Sequence, residues 1–149
     1  MKGFVLSGEG VVRAEWIDEN GHMNIRWYAA VFDEGTAVIV ARLGLGASVT
    51  EENRVTLMAA RMLIAHKKEL FIGEAWQLWS GVASISCDGA TISHRLVSGD
   101  SVRATCDIRG EAVSLATRER SVLSPQVVSA AQVLIVPGLR DRFADGVAC

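Results

Sequence analysis

Long apolar runs, prolines and charge of one sign are all scarce in this sequence, and each shortage excludes something. No stretch of about eighteen apolar residues occurs, so a membrane-spanning helix is not expected. Lys and Arg number 15 against 17 Asp and Glu, a formal net charge of -2 with the signs mixed along the chain. Without a basic patch, nucleic acid is not expected as a partner. The prolines, Pro125 and Pro137, lie late in the chain, which leaves the body free for continuous helix and strand. Cys87, Cys106 and Cys149 are an odd number of cysteines without metal-ligand spacing. They argue against a disulfide framework and for reduced structural thiols in a cytoplasmic protein. The opening MKGFVLSGEG holds no apolar run long enough for a signal peptide. Repeats, low-complexity tracts and linkers are absent as well. "GLGAS" at 44–48 lacks the spacing of a dinucleotide fingerprint, and no G-x-S-x-G serine elbow occurs. What remains is 149 residues, 50% hydrophobic, enough for one domain over 1–149 with a sizeable core.

The periodicities give an order of elements. Residues 3–14 read as a strand loosened by Gly8 and Gly10. From Met23 to Leu43, the apolar positions Tyr28, Val31, Phe32, Gly35, Val38, Ile39 and Leu43 follow helical spacing. The far side carries Ala30, Ala37 and Ala41, so this helix is expected to be largely buried. Gly35 inside it requires close packing to offset its cost. Residues 54–65, 75–87, 90–98 and 101–116 read as strands, separated in part by the turns "CDG" at 87–89 and "SGD" at 98–100. A short strand at 118–122 and a helix opening at Ser124 and Pro125 complete the chain. One long helix beside a meander of four or five antiparallel strands is an α+β layer. Such a sheet leaves an edge strand and part of the helix uncovered, which a second copy of the chain would protect.

The densest polar stretch is "DENGHMN", Asp18 to Asn24, where the long helix begins. D-E-N-G is good turn chemistry, and Asp18 or Asn20 would cap the helix. The other reading is a reactive site. Free N–H groups at a helix start, here those of Gly21 to Asn24, can receive a developing oxyanion. Asp18 would then serve as base or nucleophile beside them. His66 and His94 stand on expected strands and read as cleft-lining or hydrogen-bonded core residues. With His22 they lack metal-ligand spacing, and no metal is expected. Trp16, Trp27, Trp76 and Trp79 read first as packing residues. The sharper reading makes Trp16 and Trp27, which flank the polar stretch, an aromatic wall for a cationic group.

The order of elements, with "DENGHMNIRWY" over Asp18–Tyr28, resembles the hotdog-fold acyl-CoA thioesterases. It is most similar to the 4-hydroxybenzoyl-CoA thioesterase type, whose D-x-N-G-H-M-N-x-x-x-Y signature it matches throughout. "HKKELFIGE" (66–74) is similar to that group's H-x-x-E-x-x-x-G-[DE] stretch, and "TCDIRGEAVSLATRERSVLSP" (105–125) to its last strand and exit. Ser114 stands where the group has an acidic residue, and Leu123 where it has a proline. "EWIDENGHMN" is also reminiscent of betainyl-CoA thioesterase domains.

The resemblance implies a five- to six-stranded antiparallel sheet wrapped around one long central helix. It implies hydrolysis of a small acyl-CoA, with coenzyme A carried by the substrate and no cofactor. Asp18, Gly21, His22 and Asn24 would be catalytic, and Trp16, Trp27, Tyr28 and His66 would contact substrate. Lys67, Lys68, Arg95, Arg118 and Arg120 are candidates for the CoA phosphates. A homodimer or homotetramer is expected. Two rivals keep the fold: a non-catalytic acyl-CoA or small-ligand binding protein, and a hydratase or dehydratase.

Overall fold

The structure is a computed structural model that describes residues 1–46 and 54–144. Strand β1 (Val5–Val11) leads through a 3-10 turn at Ala14–Trp16 to helix α1 (Ile25–Arg42). Strands β2 (Val55–His66), β3 (Ala75–Ser86), β4 (Gly89–Ser98) and β5 (Ser101–Ser114) follow. A short helix α2 (Pro125–Ala130) and a 3-10 turn at Ala131–Leu134 come last. Ser124 caps α2 as expected, its hydroxyl accepting from the Val127 N–H.

The strands form one antiparallel sheet in the order β1-β3-β4-β5-β2. This is not a simple meander from 54 onward. Tight turns join only β3 to β4 and β4 to β5, where the CDG and SGD signals lie. The segment 67–74 between β2 and β3 carries no tight-turn signal, and it takes the chain from one edge of the sheet to the far side of β4. The strand expected at 118–122 is a single bridge, Val113 to Arg120. Arg118 breaks the run by adopting φ 66°, a region unfavourable for a side chain within a strand.

Helix α1 lies on one face of the sheet. It buries Tyr28, Val31, Phe32, Gly35 and Ile39, one stripe at helical spacing. The side bearing Ala37 and Ala41 is exposed in the single chain, so the helix is not buried on most sides. A Cβ on Gly35 would stand 2.3 Å from Leu78 Cδ2 and 3.0 Å from Ser7 Oγ. Glycine there lets the helix approach β1 and β3 closely. One apolar cluster joins Tyr28, Val31, Phe32, Leu70, Leu78 and Leu96 under the first half of α1. A second joins Ile39, Leu43, Val82, Ile92, Leu123 and Leu134 under its end. Each such side chain contributes about 1.5–3 kcal/mol on burial.

Cysteine usage differs from expectation: Cys87 is disulfide-bonded. Cys106 is free and buried, its thiol pushed up to about 12 by burial and by the neighbouring Asp107. Cys149 lies outside the described residues.

Candidate active site

The Asp18–Asn24 loop is a small hairpin. Ile17 and Met23 form an antiparallel bridge. The Asp18 N–H donates to the His22 carbonyl at 3.2 Å, and the Gly21 N–H to the Asp18 carbonyl at 3.0 Å. Gly21 closes the loop with φ +81°, and no atom lies within 4 Å of a Cβ built on it. A short hairpin of this kind needs a left-handed residue before its return strand. Backbone conformation, not close packing, therefore selects glycine here.

Met23 belongs to this hairpin, so α1 starts at Ile25 rather than at Met23, with Asn24 as its cap. Asn24 does two things at once. Its Oδ1 accepts from the Arg26 N–H at 3.1 Å, and its Nδ2 donates to Asp18 Oδ2 at 2.8 Å. The other Asp18 oxygen accepts from the Asn20 N–H at 2.9 Å. Donation from the Asn20 backbone, then from Asn24, with His22 nearby, holds the Asp18 carboxyl below its usual range. Capping and presentation of Asp18 are thus one hydrogen-bonded unit, and the two readings of the loop do not compete.

The free N–H groups sit differently from expectation. Those of Gly21, Met23 and Asn24 are engaged with the carbonyls of Asp18, Leu70 and Trp16. Among the described residues, the N–H groups of His22 and Ile25, which line the cleft, have no acceptor. These two remain able to face an incoming oxygen.

Beside them opens a cleft of about 330 Å³, lined by His22, Met23, Ile25, Tyr28 and the 66–69 segment. His66 stands edge-on to the Tyr28 ring, centroids 4.7 Å apart. Burial pushes the Tyr28 phenol up, opposed by a hydrogen bond from the Leu70 backbone and by Arg103. His22 directs Nδ1 to the Met23 carbonyl at 3.2 Å, while its Nε2 lies 3.5 Å from Glu69 Oε1. Lys67 and Lys68 lie on the wall.

Other sequence candidates fall elsewhere. Trp16 is buried and stacks on Trp27 at 5.1 Å and on Trp76 at 6.3 Å. Arg13 lies over Trp16 and Arg26 over Trp27. With these faces covered, and neither ring lining the cleft, the aromatic wall for a cationic acyl group is not built here. His94 is buried in the core, hydrogen-bonded to Ser80 and Thr36. Arg95 lies over Phe4, and Arg120 pairs with Glu111. Of three larger clefts, one of about 640 Å³ lies by β1 and the start of β3, and two of about 430 Å³ lie on the face of the sheet away from α1. In these last two the charges largely engage one another, through Arg109–Asp88, Arg120–Glu111 and Arg142–Asp107. Among the described residues no group of His, Cys, Asp and Glu could hold a metal.

Sequence reasoning pointed to the 66–74 stretch that holds Glu69 but missed Arg103 at this site. The Arg103 guanidinium donates to the Glu69 carbonyl at 2.6 Å and to Glu74 Oε1 at 2.9 Å. Arg103 sits on β5, far along the chain from the loop, and reads locally as an ordinary strand charge. Only the pairing of His66 with Ala104 brings it beside the cleft wall.

A model of the thioesterase-like superfamily matches residues 12–132. No curated protein matches the chain in sequence. Among solved structures, the chain is similar to a hypothetical protein from Staphylococcus aureus in complex with CoA. That pair shows 18% identity over 87% of this chain and 83% of the other, with TM-score 0.77. A hypothetical protein from Thermus thermophilus shows 16% identity over 87% of this chain and 99% of the other, with TM-score 0.75. A DHNA-CoA thioesterase from Staphylococcus aureus shows 16% identity over 78% of each chain, with TM-score 0.68. Likeness at such identities shows the fold: the hotdog arrangement of an antiparallel sheet and one long helix. No helix among the described residues is long and apolar enough to cross a membrane.

Proposed function

Because the chain belongs to the thioesterase-like superfamily, we propose that it hydrolyses the thioester of a small acyl-CoA to the free acid and coenzyme A. One observation carries the reading. The Asp18 carboxylate is held by Asn20 and Asn24 at the start of α1, beside the unengaged N–H groups of His22 and Ile25 and the adjoining cleft. The thioester oxygen would take one or both of those N–H groups, assisted by the positive end of the helix. Asp18, ionised at neutral pH, would either draw a proton from water or attack the carbonyl carbon itself. In both routes a C–O bond forms, charge collects on the carbonyl oxygen, and the C–S bond breaks as the oxyanion collapses. In the base route the leaving thiolate takes up the proton that water gave. In the direct route its departure leaves an Asp18–acyl anhydride, which water hydrolyses to the free acid and the Asp18 carboxylate, the proton released going to the thiolate. Nothing in the scheme calls for a metal or cofactor.

Tyr28 and His66 would contact the substrate near the thioester. Lys67 and Lys68, on the cleft wall, would meet the CoA phosphates. A second copy of the chain would complete the site. Strand β2 is a 12-residue sheet edge with Met58, Met62 and Leu63 exposed, the kind of edge that pairs with another chain. It runs into His66 and the cleft, so a partner paired along β2 would bring its own residues to the cleft mouth.

The test is thiol release from a panel of acyl-CoA esters with straight-chain, aromatic and cationic acyl groups, comparing the native chain with Asp18→Asn. The native protein should release thiol from at least one ester and the variant should not. Calorimetric binding of acyl-CoA without any thiol release would instead mark a binding protein.

A further inference from the structure

The cleft wall is held from behind by one residue that does not itself line the cleft. Arg103, on β5, uses both its backbone and its side chain. Its carbonyl accepts the N–H groups of Lys67 at 2.8 Å and Lys68 at 3.1 Å. Its guanidinium donates to the Glu69 carbonyl and to Glu74 Oε1. Glu74 in turn accepts the Phe71 N–H at 3.0 Å through Oε2. Both side chains are well covered, Arg103 at 16% exposure and Glu74 at 29%, so solvent screens the pair less than an ion pair on the open surface.

The braced segment meets the catalytic loop at two points. The Leu70 carbonyl accepts the Met23 N–H at 2.8 Å, and the Glu69 carboxylate faces His22. Met23 lies between the two residues, His22 and Ile25, whose N–H groups are free. The orientation of those donors is therefore tied, through Leu70, to the Arg103–Glu74 bracket. A planar fork is needed for this, because one group must reach a carbonyl and a carboxylate together.

We propose that Arg103 is a positioning residue for hydrolysis at this site, fixing the 69–74 segment and, through it, the donors of the Asp18–Asn24 loop. The proposal rests on the thioesterase reading given above. It predicts that Arg103→Lys, which keeps the charge and loses the fork, reduces kcat with little change in KM. Displacing catalytic groups by as little as 1 Å can cost about 100-fold, and a loss in kcat of that order is expected with KM within a few-fold. Glu74→Gln should act in the same direction, and it carries the test if Arg103→Lys fails to fold.

A second readout does not depend on turnover. Hydrogen exchange at the Met23 amide should quicken about tenfold in either variant, the effect of losing roughly one net hydrogen bond, while amides between β3 and β4 keep their protection. Unchanged kcat together with unchanged Met23 exchange in folded variants would overturn the proposal. If the native chain releases no thiol from any ester of the panel, the thioesterase reading fails on its own. Slower Met23 exchange than expected would then still sink the bracket, and faster exchange would uphold it.

Discussion

Two polar regions touch α1, and they differ in how completely their atoms are satisfied. Under the middle of the helix, Ser7 and Ser80 hydroxyls lie 2.6 Å apart, and Ser80 lies 2.6 Å from His94 Nδ1. His94 Nε2 lies 3.0 Å from Thr36 Oγ1, whose own hydrogen goes to the Phe32 carbonyl. Donation therefore runs one way. Ser80 donates to Nδ1, and Nε2–H donates to Thr36, which fixes a neutral imidazole in one tautomer. At the start of the same helix, the loop keeps two N–H groups without acceptors and a carboxylate exposed to solvent. A polar group buried with all its partners serves the fold. One left half-satisfied beside a cleft is available to a ligand.

The largest effect that would break this comparison is loss of turnover without loss of fold. Asp18→Asn keeps the size of the side chain but removes the negative charge and turns one of its two acceptor oxygens into a donor. Thiol release should fall by about 100- to 10,000-fold, the usual contribution of a positioned base, with only a small fall in the thermal midpoint from the lost acceptor. A variant that lost stability but kept its turnover would return Asp18 to the class of structural caps.

The converse belongs to His94. Replacing it with Ala leaves the Ser80 and Thr36 hydroxyls facing a cavity, at a cost of about 2–5 kcal/mol. Urea unfolding should show this, while kcat per folded molecule stays near the native value. Burial holds His94 down to about 3, against 6.5 for the free side chain. Between these values the unfolded chain binds a proton that the folded chain refuses. This group's contribution is therefore intact above pH 6.5 and is lost as pH falls toward 3, by up to about 1.4 kcal/mol per unit. Asp18, Asp88 and Asp141, all held below 3.8, act only at lower pH. Their native-state charge stabilises above 3.8 and is lost as pH falls through their lowered folded values. His94→Gln should accordingly flatten the stability profile between pH 3.8 and 6.5 and leave the steeper acid end in place.

How far the sequence foretold this contrast differs between the two regions. The loop was readable because its chemistry is local: D-E-N-G specifies the turn, Asn24 the cap, and the apolar stripe from Tyr28 the helix. Gly35 was readable as a close approach for the same reason. His94 was legible only as a core or cleft histidine, because its partners Ser80 and Thr36, and Ser7 behind Ser80, come from three other elements. Arg103 was not legible at all, since its role depends on register between β5 and the end of β2. The sheet order failed similarly. A crossover of eight residues at 67–74 carries no turn signal to say which strand comes next. Trp16 and Trp27 misled because adjacency to the motif in sequence places them on the core side of the helix start, against Trp76.

The smallest expected effect is also the most discriminating within the loop. Asn24→Ala removes the cap to Arg26 and should cost about 1 kcal/mol. The same change removes the Nδ2 donor from Asp18, the second largest influence holding its carboxyl low. The acid limb of kcat/KM, which reports the free enzyme's base, should therefore move upward toward the ordinary carboxylate value. Asn24→Asp separates the two roles. It preserves the cap oxygen but sets a second carboxylate against Asp18, so helix stability should be retained while the acid limb moves up further than in the Ala variant. If both variants lower stability and neither moves the limb, Asn24 serves α1 alone, and the coupling of cap to carboxylate has no part in the chemistry.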